Sequence, residues 1–184
     1  MTDSMALLII VLLIIGSFFE ITITRRPLLT INLGGGVVPL ILSIYVLTKV
    51  DTAKEGIRTV LAIGLTAIAI YLISLLFADF GHGRDIIDPM YIMAVSGGII
   101  AYILGRSRRG SFIAGTMGFL LYNLFIFWQT LTGRIVAQVR LGGAGAFDSI
   151  VISGILAVLL AELVGETLER LQGGPAEEKE NGDN

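Results

Sequence analysis

The 184 residues are 54% hydrophobic and only 15% charged, with a net charge of −2 and no cysteine, and mean hydropathy is +0.85. A soluble domain usually carries about 25% charge, so a water-soluble globule is excluded, as are a basic nucleic-acid surface, disulfides, thiolate metal centres and cysteine nucleophiles. At about 20 residues per crossing plus short connections, the chain has room for one helical membrane domain and no second one.

Six apolar segments follow in chain order, with cores at Met5 to Ile23, Leu33 to Leu47, Val60 to Phe77, Tyr91 to Leu104, Phe112 to Leu131 and Gly142 to Leu163. Their lengths predict an all-α fold, a polytopic transmembrane bundle of about six membrane-crossing helices in a single domain over residues 1–172. An acidic, disordered tail is expected over 173–184. The leader Met1-Thr2-Asp3-Ser4 has no Lys or Arg and no Ala-x-Ala-like site follows, so the first segment reads as a retained helix and not a secretory signal. The second and fourth segments are short and broken by glycine. Such segments tilt, or enter the bilayer partly as irregular backbone where protein or water satisfies the peptide groups. Pro39 is expected to kink the second segment, and Asp88-Pro89 reads as a helix cap followed by a first-turn proline.

Lys49, Lys54, Arg58, Arg106, Arg108, Arg109, Arg170 and Lys179 share one side of a six-crossing chain, against Arg25, Arg26, Arg84, Arg134 and Arg140 on the other. This asymmetry predicts a multi-pass protein of the cell membrane with both termini in the cytoplasm. The opposite face gathers the unusual polar residues: Glu20, Arg25, Arg26 and Asn32; Asp79, His82, Arg84, Asp85 and Asp88; and Arg134, Gln138, Arg140 and Asp148. Glycine pairs at Leu33–Gly36, Ser96–Gly98 and Leu141–Gly143 suggest a helix hairpin used three times, as internal symmetry recurs in transporters.

The last segment carries two signals. Gly145, Ser149, Ser153, Ala157, Ala161 and Gly165 fall at four-residue steps and make a ridge of small side chains for helix packing; Ser111, Ala114, Gly115 and Gly118 make the fifth segment its expected partner. Asp148 stands at the start of the same uncharged run. An ionised Asp at the middle of a membrane helix costs about 2.5–3.5 kcal/mol, so such an acid faces protein, a wet cavity or a partner. It either caps the helix start or carries function.

Leu33-Gly-Gly-Gly-Val-Val-Pro39, Asp88-Pro89 and Gly142-Gly-Ala-Gly-Ala-Phe-Asp148-Ser-Ile150 followed by Gly154-Ile-Leu-Ala-Val-Leu-Leu160 resemble the prokaryotic membrane family known as domain-of-unknown-function family 1614. The likeness covers nearly the whole chain and implies no activity. It does imply another acid in the penultimate helix, near Gly118-Phe-Leu-Leu-Tyr-Asn123, where this chain has none and offers Tyr122 or Asn123 instead. A looser likeness is to the Gly-x-Gly-Asp intramembrane aspartic proteases, which need two carboxylates sharing a proton. Here Asp148 follows Gly145 by three positions, not one.

Three functional readings follow. The first is binding or transport of a small polar solute, cation or proton at Asp148, with Asn32 and Asp88 as mouth ligands. The alternatives are a presenilin-like intramembrane aspartic protease and a non-catalytic membrane assembly subunit in which Asp148 pairs with an arginine. The residues favour a non-enzyme over an enzyme and imply neither cofactor nor metal. The expected partners are the lipid bilayer and a second copy or another membrane protein, with no nucleic acid.

Overall fold

The computed structural model describes residues 3–77 and 88–171. Six helices dominate it: α1 (Asp3–Gly16), α2 (Val38–Leu47), α3 (Ala53–Phe77), α4 (Pro89–Gly105), α5 (Arg108–Leu131) and α6 (Ser149–Leu171). Ala53–Leu76, Arg108–Leu131 and Ser149–Leu168 are long and apolar enough to cross a membrane, and Ser4–Gly16, Leu33–Leu47 and Pro89–Gly105 are shorter apolar helices. A 24-residue helix is about 36 Å long, against a hydrocarbon core of about 30 Å. Large apolar side chains such as Leu7, Ile41, Leu76 and Leu163 point outward, which fits a membrane protein. The predicted helical bundle is therefore what the chain forms.

Helix boundaries follow local chemistry. Asp88 accepts a hydrogen bond from the Met90 N–H at 2.8 Å and Pro89 occupies the first turn, so α4 begins there. It ends at Gly105, with Arg106 in the left-handed region at φ 58°. Ser107 then accepts from the Gly110 N–H at 3.0 Å and starts α5. One alanine from each of four helices, Ala62, Ala101, Ala114 and Ala157, forms a core cluster. Side chains this small let helices approach closely, which drives association in lipid. Ser111, Thr116 and Ser153 are also fully buried in the bundle.

A small sheet caps one end and was not among the sequence expectations. The first apolar segment leaves the helix at Gly16, well before Ile23, and the β-branched run Ile21-Thr-Ile-Thr24 forms a strand. Strands β1 (Glu20–Arg25) and β2 (Leu28–Asn32) pair antiparallel with a bulge between Thr22 and Thr24. Strand β3 (Val139–Leu141) adds parallel to β2, with Leu29 opposite Val139 and Ile31 opposite Leu141. The first and fifth connections thus meet at one end. Their inward residues Leu29, Val139 and Leu141 join Ile70, Phe119 and Ile150 in the second core cluster.

One further boundary follows the expectation for a glycine-broken segment, and another departs from expectation. Residues Leu33–Val37 form a π-helical turn ahead of α2, the irregular backbone expected of a glycine-broken segment. At the other end, Gly142 to Asp148 stay outside α6, because Gly142 and Gly145 take φ of 70° and 62°, where a side chain is strained. Asp79, His82, Arg84, Asp85 and the tail 173–184 lie outside the described residues.

Candidate functional site

At the sheet end, three glycine-containing segments meet backbone to backbone. A Cβ on Gly16 would stand 2.7 Å from the Gly34 nitrogen, and one on Gly36 would stand 2.9 Å from the Leu141 carbonyl oxygen. A Cβ on Gly35 would run into the carbonyl oxygens of Gly142 and Gly145. Side chains then lock the contact. Asn32 Nδ2 donates to the Ser17 carbonyl at 2.8 Å, while its Oδ1 accepts from the Gly35 N–H at 2.9 Å. Ser17 Oγ accepts from the Ala146 N–H at 2.9 Å and donates to the Leu13 carbonyl at 2.6 Å. The end of α1, the π-turn and the 142–146 loop are thereby one unit.

Asp148 is tied to the same 142–146 loop through Ala144. Its backbone is extended, with ψ 153°, and it precedes α6 as a cap. Oδ1 accepts from the Ile150 N–H at 3.0 Å and Oδ2 from the Ala144 N–H at 3.2 Å. The residue is 7% exposed. It lines a cavity of about 410 Å³ together with Tyr122, Asn123, Gln138, Arg140 and Ser149, against an apolar wall that includes Met90, Met93, Phe119 and Ile126. The cavity lies where the starts of α4 and α6, the later part of α5 and β3 converge. Among the described residues no arginine or lysine forms an ion pair with Asp148, and no second carboxylate lines its cavity. The described residues also contain no group of three His, Cys, Asp or Glu able to hold a metal ion.

Of the residues singled out from the sequence, Asp148 alone both caps a helix and lines the polar cavity. Asn32 is buried in the glycine junction, with both ends of its amide bonded to backbone. Asp88 is exposed and caps α4 two residues before cavity-lining Met90. Along the small-residue ridge, Ser149, Ser153 and Ala157 are buried, Ala161 is half-buried, Gly145 lies in the turn before α6, and Gly165 has nothing within 4 Å of a Cβ placed on it. A Cβ on Gly115 would stand 2.9 Å from the Ser153 carbonyl oxygen, so α5 and α6 touch there, while Gly118 faces Thr66 of α3. The glycine pairs do not occupy equivalent places: Gly97 and Gly98 lie within α4 against Phe119, Ile70 and Leu156, far along the helix from its start.

Ser17 carries no signal in the sequence, since a serine after an apolar helix is unremarkable until the loop 129 residues later docks on it. Gln138 and Arg140 had a readable sign in the alternation Gln138-Val139-Arg140-Leu141, which buries Val139 and Leu141 and leaves the polar pair facing out.

A family model described as "Protein of unknown function (DUF1614)" matches residues 5–160. No curated protein and no solved structure matches the chain.

Proposed function

We propose a function for this chain from the premise that it belongs to the DUF1614 family: it is a multi-pass protein of the cell membrane that binds a small polar solute at the Asp148 cavity and carries it across. One observation carries the reading. A buried carboxylate, anchored by two amides, borders a cavity that several other polar side chains also line. Acids placed in or beside membrane helices serve substrates, ions or partner charges far more often than they serve bulk stability. A polar cavity with an apolar wall is the usual build of a small-molecule site. A bare ion would need far less than about 410 Å³, so the volume favours a solute of several heavy atoms.

The two other readings find less support. A proteolytic dyad needs a second acid within hydrogen-bond reach, whereas among the described residues no second carboxylate lines the Asp148 cavity. An assembly subunit needs the small-residue ridge of α6 for a partner helix, whereas Ser149, Ser153 and Ala157 are buried and Ser153 meets Gly115 of α5 within this chain.

The test is flux in proteoliposomes. Asp148→Asn keeps a capping oxygen for Ile150 and removes the charge, so uptake of the solute should fall by about tenfold or more while insertion and helix content persist. Uptake unchanged by the substitution removes Asp148 from the mechanism.

A further inference from the structure

Arg140 and Asp148 bring opposite charges to one cavity without neutralising each other: both line it, and neither forms an ion pair with the other. Each is held on fixed backbone. Arg140 stands opposite Thr30 in the β2–β3 pairing, and its stem lies beside Gly143, where a Cβ would meet the Arg140 Cβ at 2.8 Å. Asp148 is pinned by Ala144 and Ile150. A simple cation would meet Asp148 and be repelled by Arg140. A simple anion would meet the reverse. A neutral solute would displace water from the buried Asp148 carboxylate without repaying it, a cost that an unpaired buried charge makes large, and would leave the exposed Arg140 unused.

We propose that the solute is a zwitterion of amino-acid size, its ammonium group held by Asp148 and its carboxylate by Arg140, with an apolar side chain against Met90, Met93, Phe119 and Ile126. This rests on the reading of the cavity as a binding site. Charged groups of both signs on the ligand satisfy both charges of the protein at once, and Arg offers carboxylate a fork of parallel N–H donors. Asn123, Gln138 and the Tyr122 hydroxyl supply neutral hydrogen-bonding groups on the same lining. The apolar wall sets the preference for an aliphatic, thioether or aromatic side chain over a charged one.

The experiment measures binding to the full-length protein in lipid nanodiscs by calorimetry, with three matched sets of probes: leucine, methionine and phenylalanine, each beside the amine that lacks its carboxylate and the acid that lacks its ammonium. At least one zwitterion should bind about tenfold or more tightly than its own amine and acid. Arg140→Gln should remove that advantage over the amine and leave the amine's binding unchanged or tighter, since the repelling charge is gone; Asp148→Asn should remove the advantage over the acid. Arg140→Lys, which keeps the charge, should retain part of the zwitterion's affinity and guards against a fold defect in Arg140→Gln. An amine bound as tightly as its zwitterion, or zwitterion binding untouched by Arg140→Gln, overturns the zwitterion while the cavity remains a binding site. No binding by any probe also overturns it, and if Asp148→Asn then leaves solute flux unaltered the site reading falls as well.

Discussion

Asp148 and Asn32 look alike in the chain, each a lone polar residue beside glycines and an apolar run, yet their side chains make different demands. Asp148 only accepts hydrogen bonds, from Ala144 and Ile150. Asparagine keeps one acceptor, for the helix-capping bond from Ile150, and gives up only the bond from Ala144, whereas alanine gives up both, and loss of the cap alone costs about 0.5–2 kcal/mol. In reversible unfolding in detergent, Asp148→Ala should therefore lose about 1 kcal/mol or more, and Asp148→Asn clearly less. Asn32 both donates to Ser17 and accepts from Gly35 in a buried setting. Alanine there strands a backbone carbonyl and an N–H, and aspartate loses the donor while burying a charge, so both should destabilise by about 2 kcal/mol or more. An Asn32→Asp protein as stable as the wild type would contradict the bracket. The sequence marked Asp148 as an acid in need of a partner and Asn32 only as a candidate mouth ligand; it could not show that Asn32 bonds Ser17, fifteen residues earlier, because that pairing exists only once the hairpin folds back.

Glycines within the helices separate into those that permit contact and those that merely weaken the helix. Gly115 of α5 abuts the Ser153 carbonyl of α6, with a Cβ 2.9 Å from its oxygen, whereas a Cβ on Gly64 of α3 or Gly165 of α6 meets nothing within 4 Å. Helix-interior glycine is worse than alanine by about 0.5–1 kcal/mol. Gly64→Ala and Gly165→Ala should then raise stability by up to about 1 kcal/mol, while Gly115→Ala pushes two helices apart and lowers it by about 1–3 kcal/mol. Thermal unfolding of the three variants decides this, and a stabilising Gly115→Ala would refute the close approach. Helices of this length are legible because long apolar runs have few other solutions in lipid. The sheet is not: Ile21-Thr-Ile-Thr24 continues the apolar run of α1, and β3 is three residues long and pairs with a strand more than a hundred residues away. Nothing local marks such a pairing, and the cavity that it helps to form was hidden with it.

At the scale of the whole molecule, two sets of contacts define opposite ends. Arg108 pairs with Glu162, and Arg109 with Asp51 and the Lys49 carbonyl, which ties the start of α5 to the later part of α6 and to the α2–α3 connection. The sheet ties residues 20–32 to 139–141 at the other end. Among the described residues, Lys49, Lys54, Arg58, Arg106, Arg108 and Arg109 lie at or near the first end and Arg25, Arg26, Arg134 and Arg140 at or near the second. By the positive-inside rule such a bias predicts that the first end faces the cytoplasm. The chain has no cysteine, so single-cysteine variants report topology without background. Ser4→Cys, Lys54→Cys, Phe18→Cys and Val136→Cys all sit at exposed positions. In intact cells a membrane-impermeant maleimide should label the variants at 18 and 136, and should reach those at 4 and 54 only after lysis. Labelling of positions 54 and 136 from the same side would break the alternation of crossings and with it the two-ended arrangement. Labelling of 4 and 54 alone in intact cells would keep the alternation and invert the orientation, so that the cavity opens toward the cytoplasm.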